Sequence, residues 1–178
     1  MKRMNISKRV ALIGASTVAI LSAQAQTSTP SAAGLEPIAF LTVHEWDAQL
    51  PDSPDGKKKK IHARFTWAPN HQAIRISNEL VTDGKASPYI DGLYAWDPHE
   101  RIIVFWYVDA KGGLTKGTVK LEEGKLVHQL QETESDGATA DYVARVTRHG
   151  TEAWDNEIFA QKGNALTPMV KVRYEPAQ

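Results

Sequence analysis

Apolar and polar positions alternate along most of this chain in short runs. Ile61, Ala63, Phe65 and Trp67 alternate with His62, Arg64 and Thr66, and Ile74, Ile76, Asn78 and Leu80 alternate with Arg75, Ser77 and Glu79. A period of two over such lengths marks a strand with one buried face. The runs are separated by Pro69-Asn70-His71, Asp83-Gly84, Asp97-Pro98, Gly112-Gly113, Glu123-Gly124, Asp136-Gly137, His149-Gly150 and Gly163-Asn164. Each pair or triplet suits a tight turn. The pattern predicts a first strand opening at Trp46 and further strands near residues 61–67, 74–80, 89–96, 101–108, 114–121, 126–132, 138–147, 152–160 and 167–174. The run from Arg101 to Val108 is apolar at both parities, which predicts that both of its faces are covered. Pro37 to Val43 predicts one helical turn with Pro37 at its start.

About ten strands joined by hairpin turns, with no sustained helical period, predict an all-β, antiparallel, up-and-down meander. Its natural end state is a closed barrel, and a β-sandwich of the same strands is the competing architecture. A barrel of this size leaves an interior that side chains or one small ligand can fill.

The N-terminal residues stand apart. Lys2, Arg3, Lys8 and Arg9 precede an apolar run from Val10 to Leu21, and Ala23-Gln24-Ala25 places small residues where a signal peptidase cuts. Residues 1–25 are therefore predicted to be a cleaved signal peptide, too short in its apolar run to be kept as a membrane span. This predicts a periplasmic or secreted protein. Residues 26–35 are polar and small and predict a disordered linker, leaving 36–178 as one barrel domain. Four of the 21 Lys and Arg residues lie before Ala25 and none of the 21 Asp and Glu do, so the mature chain carries 17 basic against 21 acidic groups. A net charge of −4 disfavours nucleic acid as a partner. The basic run Lys57–Lys60 predicts a solvated hairpin end. The absence of cysteine rules out disulfides, thiolate metal sites and cysteine nucleophiles. Asp52-Ser-Pro-Asp-Gly56 reads as a turn, not a calcium loop. A monomer or weak dimer is expected.

Two features at the ends of the domain carry a family likeness. A Pro-x-x-Phe-Leu turn runs into Trp46, and Arg173 lies on the last strand. The chain resembles the calycin architecture of lipocalins and their relatives, with His44-Glu45-Trp46 where lipocalins write Gly-x-Trp. The resemblance implies that Arg173 packs over the Trp46 indole and seals one barrel end. Closer still, residues 36–174 resemble secreted bacterial calycin-like (lipocalin-like) β-barrel proteins, through that opening, Asp83-Gly84, Gly92-Leu-Tyr-Ala-Trp-Asp-Pro98 and Gly112-Gly113. That likeness implies a fold and export, and brings no activity with it.

Catalytic motifs are largely missing. His44-Glu45 is not followed by a second histidine, and the mature chain contains no Gly-x-Ser-x-Gly or phosphate-cradling loop. The informative residues are polar interruptions on apolar faces. Asn78 shares a face with Ile76 and Leu80, His128 with Leu126 and Leu130, and Asn156 with Trp154 and Ile158. Tyr94 shares one with Gly92 and Trp96, and Tyr142 with Ala140 and Ala144. If these faces line a lumen, they make an apolar pocket with a few hydrogen-bonding groups. The expected function is binding of a small, largely apolar molecule through Asn78, Tyr94, His128, Tyr142 and Asn156. Each of these is individually also the kind of residue that sits satisfied in a core. Two alternatives stand beside this. One is a cofactor-free isomerase, lyase or cyclase with His128 as acid or base. The other is a structural or interaction barrel with a filled core. No cofactor is expected; haem held axially by His128 is a further possibility on residue type alone.

Overall fold

The computed structural model describes residues 34–51 and 56–178. The predicted signal peptide, most of the predicted linker and residues 52–55, where a turn is expected, lie outside the described residues. The architecture is a 3₁₀ turn, η1 (Glu36–Thr42), followed by ten strands: β1 (Trp46–Gln49), β2 (Lys59–Trp67), β3 (Ala73–Thr82), β4 (Lys85–Asp97), β5 (Ile102–Asp109), β6 (Leu114–Glu122), β7 (Lys125–Thr133), β8 (Thr139–His149), β9 (Ala153–Lys162) and β10 (Ala165–Pro176). Each strand pairs antiparallel with its sequence neighbours, and β1 pairs with β10 to close the ring. The chain is thus a barrel and not a sandwich.

Local chemistry explains the meander. Asp83-Gly84 and Glu123-Gly124 both take positive φ at both positions, as a two-residue hairpin turn requires. Two inward glycines let strands approach closely where bulk follows. Gly92 lies opposite Tyr107 and Gly117 opposite Phe105. A Cβ on Gly92 would collide with the Trp106 carbonyl and the Tyr107 side chain, and one on Gly117 with the Gln129 carbonyl.

One end of the barrel is plugged. Leu35, Ile38, Phe40 and Leu41 are buried beneath it, so Leu35, the last residue of the predicted linker, belongs to the packed domain. Gly34, at positive φ, lies so close to the Trp96 indole that a Cβ there would collide with the ring. Trp46 is fully buried, and its indole N–H donates to the Leu41 carbonyl oxygen at 2.7 Å. The Trp154 ring meets Trp46, Phe40 and Phe65 edge-on, and Tyr174 stacks flat on it at 3.8 Å. His44 adds an edge contact to Trp46.

Arg173 is not part of this seal. It lies between the inward-facing Val172 and Tyr174, so strand parity turns it outward. Its side chain is 53% exposed and meets Glu175 at 3.3 Å and Asp155 at 3.7 Å. The arginine at the plug is Arg148, whose guanidinium sits 5.1 Å over the Phe40 ring.

Toward the opposite end the inward positions Ile61, Leu80, Ile90, Leu130, Ile158 and Val170 are only partly buried, and the barrel opens. The outer face is solvated. On β5 this overturns the expectation of cover on both sides: Trp106 is 50% exposed and Val108 43% exposed, because no second layer lies outside a single-sheet barrel. The short closing strand is held by charge as well as by its ladder. Asp47 accepts from Lys60 at 2.6 Å and lies 2.8 Å from His62, and Glu45 accepts from Arg64 at 2.6 Å. Burial works to raise the Asp47 carboxyl, but the hydrogen bonds from Lys60 and His62 outweigh it and hold it low.

Trp46→Ala removes the centre of the plug and its hydrogen bond, and is expected to cost about 3–5 kcal/mol of stability in urea denaturation. Arg173→Ala, outside the seal, is expected to shift stability by less than about 1 kcal/mol.

Candidate functional site

The inward faces enclose a cavity of about 180 Å³. Its floor lies against the plug at Leu41, Trp154 and Tyr174, and its walls run up through Phe65, Ile76, Phe105, Leu126, Ala144 and Val146 to Ile61, Ile90, Leu130 and Ile158. Within this apolar wall stand Asn78, Tyr94, His128 and Asn156, four of the five residues expected to bind. Among the described residues that line the cavity, none is Asp, Glu, Lys or Arg.

Strand register brings these four together. His128 lies opposite Val119 and Ala144, Asn156 opposite Val146 and Val172, Asn78 opposite Ala63 and Ile90, and Tyr94 opposite Ile74 and Phe105. Every partner faces inward, so the two-residue spacing seen in the chain translates into one shared lumen. Tyr142 lies opposite Leu130 and Ala160 and shares their face. It is not among the residues lining the cavity. It stands nearer the mouth, where burial and the Glu132 carboxylate raise its phenol.

The Tyr94 hydroxyl and His128 Nε2 are 3.2 Å apart, and the imidazole packs edge-on against both Tyr94 and Phe105. Burial pushes the Tyr94 phenol well up and holds the His128 imidazole down at about 4. A weaker opposing pull from the Leu126 carbonyl does not offset this, and no hydrogen bond of acceptable geometry reaches Nδ1. Both groups are therefore neutral around pH 7.

Among the described residues, four buried polar atoms lack a hydrogen-bond partner: Asn78 Oδ1, His128 Nδ1, Trp154 Nε1 and Asn156 Oδ1. All four residues line the cavity. Leaving such a group unpaired costs about 1–3 kcal/mol, and four around one space are too many for an inert core. The arrangement can receive an uncharged molecule that hydrogen-bonds at several points. His128 Nε2 faces the Tyr94 hydroxyl, and two aromatic rings flank the imidazole. Among the described residues, no cluster of acidic and histidine side chains could hold a metal ion.

Three lining tyrosines were not singled out in the sequence: Tyr174 at the floor, and Tyr107 and Tyr89 in the wall. Tyr107 follows Phe105 at the inward parity, but its strand is apolar on both faces and hides the parity. Tyr89 falls where β3 and β4 slip register, between the Asn78–Ile90 and Glu79–Pro88 pairs. This bulge leaves Tyr89 unpaired and lets both it and Ile90 line the cavity. Pro88 within the run was the available signal, since proline in a strand marks an edge or a bulge. Burial raises the Tyr89 and Tyr107 phenols, with Asp109 and Glu132 adding to it.

The other histidines sit outside the lumen. His62 is pinned between Asp47 and Glu45, His71 stacks on Trp67, His99 is exposed beside Glu100, and His149 lies 3.0 Å from Asp155. No protein-family model matches this chain, and no curated protein matches it.

The His128 environment predicts a pH dependence. Its folded value of about 4 lies below the ordinary 6.5, so the unfolded chain binds the proton first as pH falls. The stability tied to neutral His128 is fully present above about pH 6.5 and is lost as pH drops toward 4. The loss amounts to about 3 kcal/mol. Urea denaturation across this window should show the slope, and His128→Gln should flatten it.

Proposed function

We propose that this chain is an exported, calycin-like barrel that binds one small, largely apolar molecule in its lumen. The observation that carries this reading is the cavity itself: an apolar wall, open toward one end, with four buried polar atoms that no described residue satisfies. The basic start, the apolar run and the Ala-x-Ala site support export. The secreted calycin-like proteins that the turn and core motifs resemble share both traits. Among the described residues no helix is long and apolar enough to cross a membrane.

The acid–base alternative draws on the Tyr94–His128 pair, but its chemistry is unfavourable. A general base works best with a pKa near the working pH. An imidazole held at about 4 is a weak base at neutrality and too seldom protonated to serve as an acid. Its better use is as a neutral hydrogen-bonding partner. The filled-core alternative conflicts with a 180 Å³ space, which exceeds the ~150 Å³ of a cavity known to admit benzene.

Native mass spectrometry on the mature protein purified from the periplasm, with an absorption spectrum, tests the proposal. The expected result is a reproducible extra mass of a small organic molecule, reduced by lumen substitutions such as Ala144→Phe. A clean apo mass, together with no thermal stabilisation by any small aromatic or alicyclic compound, would sink it.

A further inference from the structure

The polar atoms of the lumen constrain the ligand more closely than its apolar wall does. His128 is 6% exposed and Trp154 4% exposed, and each carries an unpartnered nitrogen in the wall of the cavity. The Trp154 Nε1–H can only donate. His128 Nδ1 donates or accepts according to which ring nitrogen carries the proton, and the Tyr94 hydroxyl at Nε2 is compatible with either. Neither Asn78 nor Asn156 makes a side-chain hydrogen bond to another described residue, so each offers a whole carboxamide, one donor face and one acceptor face. A hydroxyl both donates and accepts from a single atom. It meets each of these groups whichever way the amides are turned and whichever nitrogen of His128 is protonated.

Charge is excluded. The described residues of the wall include no ionised group to pair with a buried charge, and burying an unpaired charge is prohibitive. Size is limited too. At about 180 Å³, beside the ~150 Å³ that holds benzene, the space suits one six-membered ring with a small substituent. Phe65, Phe105 and Tyr107 supply aromatic wall around such a ring.

We infer that the lumen is specific for an uncharged, single-ring molecule bearing a hydroxyl group, a neutral phenol or cyclic alcohol. The inference rests on the proposed binding function and sets the chemical class of its ligand.

Isothermal titration with three probes of similar size separates the two claims: phenol, toluene and benzoate at pH 7. Phenol should bind at least about tenfold more tightly than toluene, and benzoate should not bind. A purely apolar cavity reverses the first order, because toluene gives up less hydration. In Asn78→Leu/Asn156→Leu the preference for phenol should fall by about tenfold or more while toluene binding is kept, which also certifies that the lumen is intact. Toluene binding as tightly as phenol, or benzoate binding at all, would overturn the inference and leave the binding function standing. If none of the three binds while native mass spectrometry finds a small molecule in the protein, the class is wrong. If neither method finds a ligand, both claims fall.

Discussion

The width of a β-barrel grows with its strand number, and at eight strands the inward side chains just fill the interior. Ten strands enclose more space than that, and much of this structure answers to the surplus. Part is taken up at one end by the plug, where Leu35, Ile38, Phe40 and Leu41 descend on the Trp46–Trp154–Tyr174 stack. Part is drawn in by Gly92 and Gly117, which let the wall close up against Phe105 and Tyr107. What remains is the cavity. The same geometry that closes the ring without an exposed sheet edge also creates the room for a ligand.

The polar groups in that room are held by rigid elements. Asn78, His128 and Asn156 project from the middles of three different strands, so their spacing is set by hydrogen-bonded register and not by loops. Their burial makes them expensive when unpaired and selective when paired, since a low local dielectric strengthens both effects. His128 shows this most plainly. Desolvation keeps it neutral at physiological pH, and a neutral imidazole beside a neutral phenol suits recognition of an uncharged partner. Outside, the charges do different work. Lys60, His62 and Arg64 tie the four-residue β1 to its neighbour through Asp47 and Glu45, reinforcing the seam where the ring closes.

Parity makes much of this legible in the sequence. Because a strand turns alternate side chains to opposite faces, Asn78, His128 and Asn156 could be assigned to the apolar face from their neighbours two residues away. The hairpin turns then implied a ring that brings those faces together. Parity carries no information about depth, which is why Tyr142 shares the inward face yet stands nearer the mouth than the cavity. It also fails where the period breaks. The bulge opposite Asn78 and Glu79 brings Tyr89 inward, and the doubly apolar β5 concealed Tyr107 while suggesting cover that Trp106 and Val108 do not have. Arg173 is the reverse case. Its own neighbours, Val172 and Tyr174, place it outside, and only the family likeness had drawn it to the seal.

A high-resolution crystal structure of the mature protein, purified without refolding, tests the central claim most directly: that the lumen is a preformed site kept open for a hydrogen-bonding guest. The account predicts electron density for an ordered molecule, or a chain of waters, within hydrogen-bond distance of Asn78, Asn156 and His128 Nδ1. A lumen collapsed by repacked Phe105, Tyr94 and Trp154, with those polar atoms bonded to one another, would contradict it.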